Sequence, residues 1–104
     1  MPNIVNISSH PLRVLEEIRQ AANDLSSVRF SENINDLSLA RRAPMSAVWA
    51  CLEQGQIDRQ HIHREPNGMY AKLFCDFAGS KITVDIMLDN TKVLHVLFAE
   101  AEEY

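Results

Sequence analysis

The stretch MYAKLFCDFAGSKITVDIML, residues 69–88, decides the fold. In its first half every odd position is apolar (Met69, Ala71, Leu73, Cys75, Phe77), while the even positions Tyr70, Lys72, Phe74 and Asp76 are mixed. In its second half the parity reverses. Ile82, Val84, Ile86 and Leu88 are apolar, with Thr83, Asp85 and Met87 between them. A period of two belongs to a β-strand with one buried face. With Gly79-Ser80 as a two-residue loop, the glycine supplying a positive φ, Phe77 faces Ile82, Cys75 faces Val84 and Leu73 faces Ile86. The other face then sets Asp76 against Thr83 and Phe74 against Asp85. A slip of one residue would turn every apolar side chain outward, so the pattern specifies the facing.

Glu65-Pro66-Asn67-Gly68, immediately upstream, reads as a turn, with proline presetting its first corner. Pairing outward from it aligns Ile62 with Ala71 on the core face, and His63 with Tyr70 and His61 with Lys72 on the other. Ile57 has the wrong parity to join Ile62, which predicts a bulge or break near residues 58–60. Downstream, residues 93–99 are apolar on both faces apart from His95, the pattern of a central strand or of an edge covered by a partner. The acidic tail from Glu100 is expected to fray.

Before residue 56 the period is helical. Ser8-Ser9-His10-Pro11 supplies a cap and a proline fitted to a first turn. Leu12, Val14, Leu15, Ile18, Ala21, Ala22 and Leu25 then mark a helix over about residues 10–25. Val28-Arg29-Phe30 reads as an extended link or brief strand. Ser31 can cap a second helix to about Arg42, with Ile34, Leu37 and Ala40 inward. Pro44 opens a third, in which Met45, Val48, Trp49 and Leu52 form a stripe, and Gly55 suits a left-handed cap. That stripe is expected to pack on Leu73, Cys75, Val84 and Ile86. Helices followed by strands make an α+β domain. The expectation is a single domain over residues 1–104, its helices over about 10–55 lying on one face of a four-stranded antiparallel meander over about 56–99.

Composition removes several function classes. With 46% hydrophobic residues, 3 Gly and 4 Pro, the chain is neither disordered nor collagen-like. No apolar run approaches the roughly 18 residues of a membrane span, and residues 1–30 lack a basic-then-apolar pattern, so no secretory leader is expected. Two cysteines are no disulfide framework, so the expected location is a reducing cytoplasm, with Cys51 and Cys75 as small buried hydrophobes. A net charge of −4 disfavours nucleic-acid binding through bulk positive charge.

Val28-Arg29-Phe30-Ser31, Arg41-Arg42, the helix end from Val48 to Gly55 and the strands that follow resemble the bacterial domain-of-unknown-function family 4258, over about residues 28–99. The resemblance implies a distant likeness to RelE and MqsR toxins, small ribonucleases that lay RNA across an open sheet face backed by helices. It also implies a protein partner of antitoxin type. The family pattern carries His where this chain has Asn33, and RelE-like toxins are strongly basic where this chain is acidic.

The residues that could carry such chemistry lie on the non-core face of the first hairpin. Metal-free RNA cleavage needs a base, an acid and cations on the phosphate; His61, His63, Tyr70 and Lys72 are of those types. Arg41, Arg42 and Arg59 could contact phosphate. A solvated polar face would carry the same residues. His61-x-His63 could grip zinc, but a third ligand is not evident, so no metal and no cofactor are expected. His95 reads as a hydrogen-bonded core histidine. Two functions remain: a non-catalytic interaction module or homodimer, and a toxin-like ribonuclease. An apolar patch around Phe74, Met87 and Leu94 would favour the first, a positive groove the second.

Overall fold

The computed structural model describes residues 10–31 and 43–103. Its elements are α1 (Pro11–Ala22), a 3₁₀ turn (Leu25–Ser27), β1 (Val28–Phe30), α2 (Met45–Gln54), β2 (Gln56–Ile57), β3 (His63–Glu65), β4 (Gly68–Phe77), β5 (Ser80–Asp89) and β6 (Leu94–Glu103). The class is α+β as expected, but the sheet has six strands and is mixed. Its order is β1-β6-β5-β4-β2, with β3 also on β4. β1 runs parallel to β6, pairing Val28 with Leu94 and Phe30 with Val96, and every other pairing is antiparallel. The brief apolar piece at Val28 thus adds a strand on the far side of the meander. The expected break divides residues 56–65 into β2 and β3, because Asp58 N donates to Lys72 O and the chain then turns before rejoining β4 at His63.

His10 caps α1 through Nδ1, which accepts from Leu12 N at 3.3 Å, and Pro11 occupies the first turn. The helix stops three residues short of Leu25. Asp24 accepts from Ser26 N and starts the 3₁₀ turn, leaving Leu25 75% exposed. Most of the helix expected over residues 31–42 lies outside the described residues. Ser31 is described, and it donates its N–H to Val96 O and its hydroxyl to Leu97 O, extending the contact of β1 with β6.

In α2 the buried face is Ala47, Val48, Cys51 and Leu52, not the stripe headed by Met45. Met45 is exposed, and Trp49 is half-buried, edge-on to Phe30 with ring centroids 5.7 Å apart. Small side chains at Ala47 and Cys51 let the helix approach β4 and β5 closely, which rotates the bulky residues to the flank. Gly55 does not adopt the left-handed cap. Its backbone is extended (φ −70°, ψ 165°), and a Cβ there would stand 2.5 Å from Cys51 O.

The β4–β5 hairpin turns at Ala78-Gly79, both at positive φ (52° and 83°), rather than at Gly79-Ser80. Phe77 therefore faces Ser80, Cys75 faces Ile82, Leu73 faces Val84 and Phe74 faces Thr83. This register differs from the expected one by two residues, so parity and buried face survive while each partner changes. Two positive-φ residues form the turn whose twist matches that of the strands. The shift also sets Lys72 opposite Asp85 and Asp76 opposite Lys81, opposite charges that the expected register kept apart.

β6 lies between β5 and β1 over its first residues and runs on to Glu103, so the acidic tail is paired with β5 and not frayed. A bulge at Leu97 lets both Val96 and Ala99 point inward. Leu94 is wholly buried, so it does not belong to the patch expected around Phe74 and Met87. The core joins Val14 and Ile18 of α1 and the inner face of α2 to Leu73, Ile82, Val84, Ile86, Leu94 and Val96. Cys75 and Phe77, expected inside, are half-buried against its edge. Among the described residues no helix is long and apolar enough to cross a membrane.

Candidate functional site on the open sheet face

Alternation that buries one face of β4, β5 and β6 leaves the other with no fully buried side chain. That face carries Tyr70, Lys72 and Phe74 on β4, Thr83, Asp85 and Met87 on β5, and His95, Phe98 and Glu100 on β6. Beside it lies a shallow depression of about 410 Å³, lined among others by His61, His63, Tyr70, Lys72, Asp85 and Leu97. All four residues singled out for catalysis therefore reach one concavity. They come from different elements: His61 from the β2–β3 turn, His63 from β3, Tyr70 and Lys72 from β4. The predicted pairing of His63 with Tyr70 is present, whereas His61 sits outside the ladder.

Both histidines and the lysine in the depression already have a carboxylate beside them. His61 Nδ1 lies 2.7 Å from Asp58 Oδ2, and His63 Nε2 contacts Glu65 Oε2. Lys72 Nζ lies 3.7 Å from Asp85 Oδ1, an oxygen that is buried and accepts no hydrogen bond. The backbone N–H of Gln60 and the nearby His61 hold the Asp58 carboxyl below its usual range. Tyr70 receives a long hydrogen bond from Asn67 Nδ2. Arg59 is exposed in the β2–β3 turn and does not line the depression. Arg41 and Arg42 lie outside the described residues, as does Asn33.

The three carboxylates were the part of this site that residue type and parity missed. Asp58 and Glu65 lie three and two positions from their histidines, a local signal that was available. Asp85 became the partner of Lys72 only through the two-residue register shift.

His95 is neither in the core nor in the depression. Its Nε2 lies 2.8 Å from Asp89 Oδ2, while Asp89 Oδ1 accepts from Thr91 N, Thr91 Oγ1 and Val93 N. These bonds, that from the Thr91 hydroxyl foremost, hold the Asp89 carboxyl well below the usual carboxylate range. This cluster organises the β5–β6 turn. Among the described residues no three His, Cys, Asp or Glu side chains converge as a metal site.

The rest of the open face mixes polar side chains, Thr83, His95 and Glu100 among them, with four apolar ones. Phe74, Met87, Leu97 and Phe98 are half-buried, and Lys81 Nζ stands 5.6 Å from the centre of the Phe74 ring. No family model, curated protein or solved structure matches the chain.

Proposed function

We propose that the chain is a non-catalytic protein-interaction module whose open sheet face binds a second copy of itself. The observation that carries this reading is that His61, His63 and Lys72 each already face a carboxylate, while Phe74, Met87, Leu97 and Phe98 lie on the surface beside them. A phosphate entering the depression would have to displace those carboxylates. An apolar surface needs only to be covered.

The dimensions suit a sheet-on-sheet pair. The three ten-residue strands β4, β5 and β6 are about 34 Å long and together about 14 Å wide, so two such faces cover on the order of 1,000 Å². That is the size of a small, reversible interface.

Sedimentation equilibrium at micromolar concentration tests this. The wild type should be dimeric and Phe98→Glu monomeric, with the secondary structure of both unchanged. A monomeric wild type at 100 times that concentration overturns self-association and leaves a separate partner of antitoxin type as the module's ligand.

One observation favours the second reading, a metal-independent ribonuclease: His61, His63, Tyr70 and Lys72 do share a concavity. In that reading a histidine exchanges the proton, Lys72 stabilises charge on phosphorus, and Arg41, Arg42 and Arg59 hold the RNA. Cleavage of RNA at low salt, lost when His61, His63 and Lys72 are together changed to Ala while the melt is kept, would establish it. Absence of cleavage by the wild type removes it.

A further inference from the structure

The chain has two cysteines, and the fold brings them together from different layers. Cys51 projects from the inner face of α2 and is completely buried. Cys75 lies on β4 where the core ends, and its sulfur is 3.0 Å from that of Cys51. That separation is well inside an ordinary contact of two sulfurs and about 1 Å longer than a disulfide bond. Cys75 is half-buried and lines a wide groove of about 840 Å³ between the end of α2 and the β4–β5 hairpin, together with Ala50, Gln54, Phe74 and Phe77. The pair thus has one member reachable from solvent and one that is not, the arrangement of an attacking and a resolving thiol. Burial pushes the Cys51 thiol up, so the enclosed member of the pair is a thiol and not a thiolate.

We infer that Cys51 and Cys75 form a reversible redox site, oxidised by a hydroperoxide that enters through the groove and attacks at Cys75. In the first step the Cys75 thiolate attacks a peroxide oxygen. The S–O bond forms, the O–O bond breaks, and the departing hydroxide takes a proton to become water. Cys75 is then a sulfenic acid. In the second step the Cys51 sulfur attacks the Cys75 sulfur. The S–S bond forms, the S–O bond breaks, and the departing hydroxide takes the Cys51 proton as water. Two thiols and one hydrogen peroxide give one disulfide and two waters, and two equivalents of a small thiol reverse the change. The bond would tie α2 to β4 across the 23 residues between the cysteines. Closing a loop of that size lowers the entropy of the unfolded chain and should raise Tm by on the order of 10 °C.

The test is oxidation of the full chain with stoichiometric hydrogen peroxide, read by intact mass, thiol titration and peptide mapping. The expected result is a loss of 2 Da, no titratable thiol, a single Cys51–Cys75 cross-linked peptide and a raised Tm, all reversed by dithiothreitol. Cys51→Ala should stop at the sulfenic acid, trapped on Cys75 by dimedone, and Cys75→Ala should remain unoxidised. The wild-type mass result does not depend on either variant folding. Two thiols that persist, a Cys75 driven to sulfinic acid with Cys51 intact, or a disulfide between two copies would each overturn the inference.

Discussion

Replacing Leu52 with alanine tests the packing of α2 on the sheet most directly. Leu52 has no exposed surface and belongs to the core shared with Leu73, Val84 and Ile86. Leu→Ala substitutions in such sites cost about 2.7–5 kcal/mol, the spread reflecting how far the surroundings relax into the gap. Here a helix closes one side and paired strands the other, so relaxation is restricted and a loss of about 3–4 kcal/mol is expected. A domain of this length has about 5–15 kcal/mol in all, so the variant should stay folded but with a sharply lower midpoint. Met45→Ala on the same helix is the control. At 38% exposure, outside the buried face, it should cost under about 1 kcal/mol. Urea titration followed by the fluorescence of Trp49, the single tryptophan, reads both. Trp49 sits on α2 against Phe30 and reports its docking. Equal m-values are required, so that midpoint shifts are stability changes. A Met45→Ala loss as large as that of Leu52→Ala would refute the described rotation of the helix. A Leu52→Ala loss below about 1 kcal/mol would refute its packing on the sheet altogether.

Three further outcomes follow from local geometry. Ala78→Gly should stabilise the chain by about 0.5–1 kcal/mol, since alanine at φ 52° is strained and glycine is not, and Gly79→Ala should cost about 1 kcal/mol; a destabilising Ala78→Gly in a thermal melt would return the turn to Gly79-Ser80. The Asp89 carboxyl is held below its unfolded value, so its contribution is complete above about pH 4 and is lost as pH falls through the folded value. Midpoints measured from about pH 5 downward should therefore fall less steeply in Asp89→Asn than in the wild type, and parallel slopes would show that the turn does not depend on the ionised group. Exchanging the facing charges, Lys72→Asp with Asp85→Lys, should recover most of the stability lost in either single variant, and a double-mutant cycle with no coupling would show that the cross-strand pair is not formed.

Much of the fold was legible along the chain, for reasons that can be located. Strand alternation at residues 69–88 specified which side of β4 and β5 is buried, because a period of two leaves only two choices and one exposes every apolar group. The same pattern could not separate registers two residues apart, since both bury the same side chains. Turn chemistry at Ala78-Gly79 and the Lys72–Asp85 pairing made that choice. For the candidate site, parity put His63, Tyr70 and Lys72 on one face, while the contacts with Asp58, Glu65 and Asp85 followed from turn and register.

What the sequence by itself determined was therefore the helical class of residues 11–22 and 45–54, the strand class of residues 68–89, and the buried face of β4 and β5, properties set by near neighbours in the chain. Only the tertiary structure decided that β1 joins β6 in parallel, with 63 residues between Phe30 and Leu94. It also decided that α2 turns Ala47 and Cys51 inward, and that the two sulfurs meet at 3.0 Å. These depend on how closely one layer can approach another. That distance is set by the volumes of side chains remote in sequence, and no local period records it.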